Sequence, residues 1–109
     1  MTKYRSQRVV VDGFSFASKA EARRYGELRI LERAGEISGL RLQPVYILEP
    51  ANKADKLRAI KYIGDFEYWE NKTGGFVCED VKGVRTPVYR LKRQLFLRRF
   101  PEIEHREIC

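Results

Sequence analysis

A helix that begins at Thr86-Pro87 constrains the fold of this chain more than any other feature. Thr86 supplies a capping hydroxyl, Pro87 suits the first helical position, and the helix is predicted to end near Arg99. The segments on either side, residues 75–82 and 103–108, are predicted to be strands. Because a helix between two strands permits a right-handed parallel crossover, these two strands are expected to lie parallel in one sheet.

The first part of the chain predicts a β-hairpin and then a helix. Residues 9–16 form the hairpin, because Asp12-Gly13 supplies the positive φ angles that a tight turn needs. A helix follows over about residues 19–34. Its apolar stripe consists of Tyr25, Leu28, Leu31 and Ala34, and it ends before Gly35.

The middle of the chain predicts short strands. Residues 40–48 are extended with a break at Gln43-Pro44, and a polar connection of residues 49–58 follows. Residues 59–69 form a strand that a tight turn joins to the strand 75–82, which favours antiparallel pairing. The expected fold is therefore α/β, a mixed central β-sheet flanked by helices in the order α-β-β-β-α-β, after an N-terminal hairpin. The buried side of the second helix is predicted to consist of Val88, Leu91, Leu95 and Phe96.

Size and charge limit the range of functions. The 109 residues fit a single domain, with a basic arm at residues 1–8, the hairpin, and a core at residues 18–108. There are 22 Lys and Arg against 15 Asp and Glu, a net charge of +7, which favours a polyanionic partner such as nucleic acid, although many small soluble proteins are basic without one. No apolar run is long enough to span a membrane and no signal-peptide pattern opens the chain. The spacing of Cys78 and Cys109 indicates neither zinc nor disulfides, so a cytoplasmic location is expected.

Three acidic fragments carry the chemistry. On a strand, Asp80 and Lys82 share a face, and a carboxylate beside an ammonium suits metal-assisted phosphodiester hydrolysis. The alternative is a surface ion pair. Asp65 lies among apolar strand residues, where an acid without a function is costly; the alternative is an exposed aspartate at a strand end. Glu21 stands three residues after Ser18 and completes a capping box, which by itself explains the position of Glu21.

Nearly the whole chain, about residues 18–108, resembles the PD-(D/E)xK nuclease superfamily in the order of its elements and in the positions of Asp65 and Asp80-x-Lys82. Gly64 stands where the superfamily's motif has proline. A closer resemblance is to small phage and prophage endonucleases, which are themselves similar to archaeal-type Holliday junction resolvases. The fragments that carry it are Ser18 to Glu21, Gln43-Pro44, Gly64 to Phe66, Glu79 to Gly83, and Thr86, Tyr89 and Lys92.

The resemblance implies a Mg²⁺-dependent endodeoxyribonuclease, with Mn²⁺ as a substitute, that resolves branched phage DNA as a homodimer in the cytoplasm of the bacterial host. Glu21, Asp65, Asp80 and the carbonyl of Val81 are expected to hold the metal, and Lys82 to orient the attacking water. Glu79 ranks below Asp80 as a ligand. Alternatives are a restriction, repair or transposition nuclease on the same site, and a DNA-binding module without catalysis.

Basic and hydroxyl side chains are expected to contact DNA phosphates. Those on the second helix lie near one face, and others lie in the N-terminal arm and the polar connection. The predicted contacts are Lys3, Arg5, Arg8, Lys19, Thr86, Tyr89, Lys92 and Arg93. The arm residues Lys3, Arg5 and Arg8 and the connection residues Lys53, Lys56 and Arg58 would clamp the DNA backbone, and the alternative for them is a solvated surface. His105 is expected to be a surface residue, and Phe14 and Phe16 of the hairpin to be available for dimerisation.

Overall fold

The computed structural model describes residues 8–109, so the predicted DNA contacts Lys3 and Arg5 lie outside the described residues. Two helices and eight strands follow one another along this part of the chain. They are β1 (Val9–Val11), β2 (Phe14–Phe16), α1 (Lys19–Arg33), β3 (Ile37–Leu42), β4 (Val45–Glu49), β5 (Ile60–Ile63), β6 (Phe66–Glu70), β7 (Gly75–Val81), α2 (Pro87–Arg99) and β8 (Ile103–Ile108).

The central sheet is mixed and has four strands in the order β3-β6-β7-β8. β6 is antiparallel to both β3 and β7, whereas β8 is parallel to β7. The parallel pair confirms the prediction made from the Thr86-Pro87 helix start, and the fold is α/β with helices and a mixed sheet. The N-terminal strands β1 and β2 form the predicted hairpin, with φ angles of 52° at Asp12 and 81° at Gly13.

The strands β4 and β5 form a second, two-stranded sheet that continues the pairing of β3 with β6 beyond a kink. Leu42 faces Phe66 before the kink, and Val45 faces Ile63 after it. Gln43, with a φ of 51°, redirects one strand at the predicted Gln43-Pro44 break. Residues 59–69, predicted as one strand, are therefore two, separated at Gly64-Asp65.

The two helices cover opposite faces of the central sheet. Val77 of β7 belongs to a core with Tyr25 and Leu28 of α1, whereas the next residue, Cys78, belongs to a core with Phe96 of α2. Successive residues of a strand point to opposite faces, so α1 and α2 lie on opposite sides of β7. The site residues of β7 are consequently divided between the two faces.

The prediction of which side of α2 is buried was wrong in part. Val88 and Leu91 are 63% and 57% exposed and Leu95 is half-buried, whereas Tyr89 and Phe96 are buried. The helix offers two apolar stripes, and the aromatic stripe bears the larger area and packs against β4 and β5. The aliphatic stripe is left on the surface.

The proposal that both hairpin phenylalanines are available for dimerisation was also wrong for one of them. Phe16 is buried and packs against Tyr25 and Phe66, with ring centroids 5.0 and 6.4 Å away. Phe14 remains partly exposed at the edge of the Tyr25 ring. The hairpin therefore closes the core over α1. Within the described residues, neither helix is long and apolar enough to cross a membrane.

Candidate active site

Asp80 and Lys82 form a close ion pair at the end of β7. The Nζ atom of Lys82 lies 3.0 Å from Oδ1 of Asp80, as their shared strand face predicts. Asp80 is only 1% exposed, so the alternative of a surface pair does not apply. Lys82 also lies over the ring of Tyr89, at 4.3 Å from the centroid, which fixes the ammonium by a cation–π contact. The pair is thus held at the edge of the buried interior.

The second oxygen of Asp80 belongs to a buried polar chain that reaches β8. Tyr62 donates its hydroxyl proton to Oδ2 of Asp80, and that hydroxyl lies 2.8 Å from Nε2 of His105. Arg93 donates to Nδ1 of His105 at 3.2 Å. Burial, and then the nearby Arg93 charge, lowers the pKa of His105, so the ring is neutral at pH 7. The expectation that His105 is a surface residue was wrong, because β8 pairs with β7 and brings the ring inward.

Asp65 lies at the kink between β5 and β6, where the chain leaves the central sheet. Its Oδ2 accepts the N–H of Val81 at 2.6 Å. Burial raises the pKa of Asp65 to about 7; the Val81 N–H opposes this rise, and the carboxylates of Asp80 and Glu21 add to it. Asp65 is therefore a largely buried acid close to two other carboxylates and is not the exposed strand-end aspartate of the alternative interpretation.

Glu21 lies in the first turn of α1, and its role as a cap is incomplete. Ser18 accepts the N–H of Glu21 at 3.2 Å, as the capping box predicts. The Glu21 carboxylate, however, meets the Ser18 hydroxyl at 3.4 Å, and among the hydrogen bonds of the described residues none joins it to the Ser18 N–H. Its oxygens remain available to other partners. The side chain lines both a cleft with Lys82 and a smaller one with Asp65.

The cleft that holds Glu21 and Lys82 lies between the start of α1 and the segment after β7, and we refer to it as the α1 cleft. It has a volume of about 890 Å³. Its lining residues include Arg8, Ser18 and Thr86. A carboxylate and an ammonium thus face the same accessible space, which is the arrangement that a phosphodiester and a hydrated cation require together.

The donors predicted for a metal are oxygen atoms, the type of ligand that Mg²⁺ prefers. Within residues 8–109, no group of three His, Cys, Asp or Glu side chains is placed to hold a metal ion. Mg²⁺ keeps several waters and binds through one or two carboxylates together with substrate phosphates. Asp65 and Asp80 are the carboxylates predicted for that role, with Glu21 and the Val81 carbonyl as further predicted donors, and in this structure Lys82 and Tyr62 engage the two oxygens of Asp80.

Glu79 has a structural role on the opposite face of β7. Arg24 of α1 donates two hydrogen bonds to it, at 2.7 and 2.6 Å, and the Tyr68 hydroxyl also donates to it. Glu79 is 0% exposed, and its oxygens are engaged by these donors. It therefore holds α1 against the sheet and is poorly placed to serve as the extra metal ligand that the sequence left open.

The predicted DNA contacts on α2 divide into accessible and engaged residues. Thr86 caps the helix by accepting the Tyr89 N–H at 3.1 Å and lines the α1 cleft. Lys92 is half-exposed and lines a groove beside β5. Tyr89 is buried, and its hydroxyl donates to Glu107 at 2.7 Å. Arg93 contacts His105 and Glu107. Tyr89 and Arg93 are therefore engaged by residues of β8 and are less available to DNA.

Two predicted contacts precede α1 or lie at its start. Arg8 lines the α1 cleft, and its Nε donates to the Ser15 hydroxyl at 2.9 Å. Lys19 is exposed in the first turn of α1. Both are therefore near the predicted site, and Arg8 faces the same cleft as Lys82.

Sequence reasoning missed the side chains that position Asp80. Tyr62 was assigned to a strand but given no role, although its alternation with Lys61 and Ile63 places it inward. His105 pairs with Cys78 in register, two residues before Asp80. The parallel register would have put His105 on the face of Asp80, but that register follows only from the assembled sheet.

A family model described as "Protein of unknown function (DUF1064)" matches residues 1–109 of the chain. No curated protein and no solved structure matches the chain significantly.

Proposed function

The chain belongs to the DUF1064 family of proteins of unknown function, and we propose that it is a metal-dependent endodeoxyribonuclease that hydrolyses DNA phosphodiester bonds. The observation that carries the proposal is the buried Asp80, paired with Lys82 at 3.0 Å beside Asp65. A module that only binds DNA gains nothing from carboxylates facing phosphate, because like charges repel. The resemblance to PD-(D/E)xK nucleases agrees with this arrangement of acids and lysine.

The predicted site residues have distinct roles in this mechanism. Asp65 and Asp80 would hold Mg²⁺, with Glu21 and the Val81 carbonyl as further donors. When bound, the metal stabilises the charge that develops on the phosphate and lowers the pKa of water. Lys82 faces the α1 cleft, where its ammonium donates to a water or phosphate oxygen.

Tyr62 and His105 act on the reaction through Asp80. Their hydrogen-bonded chain fixes the orientation of its carboxylate in a low-dielectric environment, where a fixed dipole is worth more than in water. His105 is neutral, so it adds no positive charge that would compete with the cation. Tyr62 and His105 are therefore positioning residues.

Branched DNA, in particular a four-way junction, is the substrate that the resemblance favours. A resolvase must cut two strands symmetrically, and each chain carries one site, so a two-fold dimer is the natural solution. An exposed aromatic pair, Trp69 and Phe76 with centroids 4.9 Å apart, offers an apolar surface for such contact on the central sheet. A cytoplasmic location fits a protein that acts on DNA.

The deciding experiment compares substrates with and without metal. Purified protein is incubated with four-way junction, flap and linear duplex DNA in Mg²⁺, Mn²⁺ or EDTA, and products are separated on denaturing gels. Symmetric metal-dependent nicks in the junction support a resolvase. Equal cutting of all three supports a restriction, repair or transposition nuclease on the same site. Binding of DNA without cleavage in either metal would leave only a binding module.

A further inference from the structure

A second groove leaves the predicted site in another direction. It lies between β5 and α2, has a volume of about 780 Å³, and shares Lys82 and Thr86 with the α1 cleft. We refer to it as the α2 groove. Its other charged lining residues are Arg58, Lys61 and Lys92. A chain bound along this groove would therefore reach the Lys82 ammonium, where the scissile phosphate is expected.

Apart from Lys82, which pairs with Asp80, the cations of the α2 groove have no acidic partner among the described residues. None of the described residues that line it is acidic. Within residues 8–109, Arg58, Lys61 and Lys92 have no carboxylate within 4.0 Å, whereas Arg85 and Arg106 are each paired with glutamates. Cations without acidic partners are the ones free to neutralise phosphates. The α2 groove thus presents three cations without acidic partners to one accessible space.

An ordered turn places Arg58 at the groove. Asn52 and Leu57 exchange backbone hydrogen bonds of 2.9 and 2.8 Å, and the Asn52 side chain accepts the Asp55 N–H at 3.1 Å. The connection that the sequence describes as a polar loop is therefore a closed turn next to β5. Holding the backbone before Arg58 lowers the entropy that is lost when the guanidinium binds.

The walls of the groove are apolar as well as basic. Ile63 and Val88 line it and are 58% and 63% exposed. A duplex presents phosphates on its outside and hides its base faces, so exposed aliphatic side chains have little to contact there. An unpaired strand offers both phosphates and apolar base faces. The mixture of free cations and exposed aliphatics therefore matches a single strand better than a duplex.

We propose that the α2 groove binds an unpaired DNA strand and leads it to Lys82. The proposal specifies the substrate class of the proposed nuclease. It rests on that nuclease function only for the position of the scissile phosphate. Lys61, Arg58 and Lys92 contact successive phosphates, and Ile63 and Val88 contact bases. The substrate class is thus DNA with an unpaired segment next to the cut, as at a flap, a gap or an open branch point.

The test measures binding without catalysis. Fluorescence anisotropy in EDTA compares a labelled 15-nucleotide oligo-dT with a duplex of equal length, for the wild type and for the Arg58→Gln, Lys61→Gln double variant. Loss of two phosphate contacts should weaken oligo-dT binding about tenfold and reduce the slope of log affinity against log salt by about 1.4. Duplex binding should change less than twofold.

A matched control removes the same charge elsewhere. Arg33 and Lys72 are exposed, and they lie at the end of the molecule where Asn71 donates its N–H to the Glu36 carbonyl, away from Lys82. Arg33→Gln with Lys72→Gln should leave oligo-dT binding within twofold. Equal losses from both pairs, or equal losses on oligo-dT and duplex, would overturn the groove. Because the assay contains no metal, selective oligo-dT binding supports the groove even if the wild type cuts no DNA, a result that would refute only the nuclease.

Discussion

The Sγ atom of Cys78 lies 2.8 Å from the position that a Cβ on residue 64 would occupy. Cys78 is 0% exposed and packed in the α2 core, so its sulfur has little room to move. The N–H of Gly64 also donates to the Pro44 carbonyl at 3.0 Å. Proline, which the nuclease superfamily's motif has here, would lose that bond and place atoms against the sulfur. Glycine at position 64 is therefore required by the packing against Cys78.

Gly64→Ala is expected to destabilise the fold by about 1–3 kcal/mol, the usual cost of overpacking. Cys78→Ala removes the sulfur that the new methyl group would meet, so the double variant should be more stable than the sum of the two single changes predicts. The measurement is urea unfolding of the four proteins in a double-mutant cycle. Strict additivity, with a coupling below about 0.5 kcal/mol, would contradict the contact.

Arg24→Met is expected to destabilise the protein by about 3–5 kcal/mol, because it leaves Glu79 buried without a cation. Arg24→Met with Glu79→Gln removes the stranded charge and should recover part of the loss. Chemical denaturation at low and high salt measures both variants. If Glu79 were mainly a metal ligand, Glu79→Gln alone would abolish cleavage while Arg24→Met left stability unchanged, and that pair of results would refute the structural role.

The raised pKa of Asp65 predicts a stability that falls with rising pH. The unfolded carboxyl loses its proton near pH 4, but the folded one keeps it until about 7. Between these pH values the unfolded state binds fewer protons than the folded state. The contribution of Asp65 to the stability of the fold therefore decreases as pH rises. Asp65→Asn, whose amide oxygen still accepts the Val81 N–H, should be more stable than the wild type by about 4 kcal/mol at pH 8 in EDTA.

The same comparison at pH 4 supplies the control for Asp65. There the folded carboxyl is protonated and the unfolded one is about half protonated, so most of the advantage of the asparagine variant should be lost. Thermal melts across this pH range measure the difference. A constant advantage at every pH, or a wild type that is the more stable protein at pH 8, would contradict the burial of Asp65 beside Asp80 and Glu21.

Glu21→Gln separates capping from catalysis. Glutamine still accepts the Ser18 hydroxyl bond, so the melting temperature should change little, but without the negative charge most cleavage should be lost. Ser18→Ala is the matched control, since it removes the cap, costs about 1 kcal/mol and should leave cleavage intact below the melting transition. Thermal melts and cleavage assays are run in parallel. Normal cleavage by Glu21→Gln would limit Glu21 to the helix start.

Local sequence signals predicted those parts of the fold that depend on near neighbours. The Asp12-Gly13 turn and the Thr86 cap act over two to four residues, and both are found as predicted. The ion pair of Asp80 and Lys82 follows from strand alternation alone. These features require no knowledge of the partner strands.

The features that were missed depend on assembled geometry. The helix α2 has two apolar stripes. Tyr89 and Phe96 point inward because they pack against the aromatic residues of β4 and β5, which the sequence of the helix alone does not reveal. His105 follows charged neighbours in sequence, but the parallel register with β7 places it against Tyr62. The α2 groove combines Lys61 with Lys92, residues 31 positions apart whose proximity no local pattern contains.

Asp80→Asn tests the central proposal most directly. Its amide can keep the contact with Tyr62, so the variant should fold, and circular dichroism and a thermal melt establish that it does. The measurement is the rate of Mg²⁺-dependent cleavage of a four-way junction by wild type and variant at equal concentration, with DNA binding followed in EDTA. We expect the folded variant to bind the junction at least as tightly as the wild type and to cut it at least about a hundredfold more slowly. Cleavage at the wild-type rate by a folded Asp80→Asn protein would contradict it.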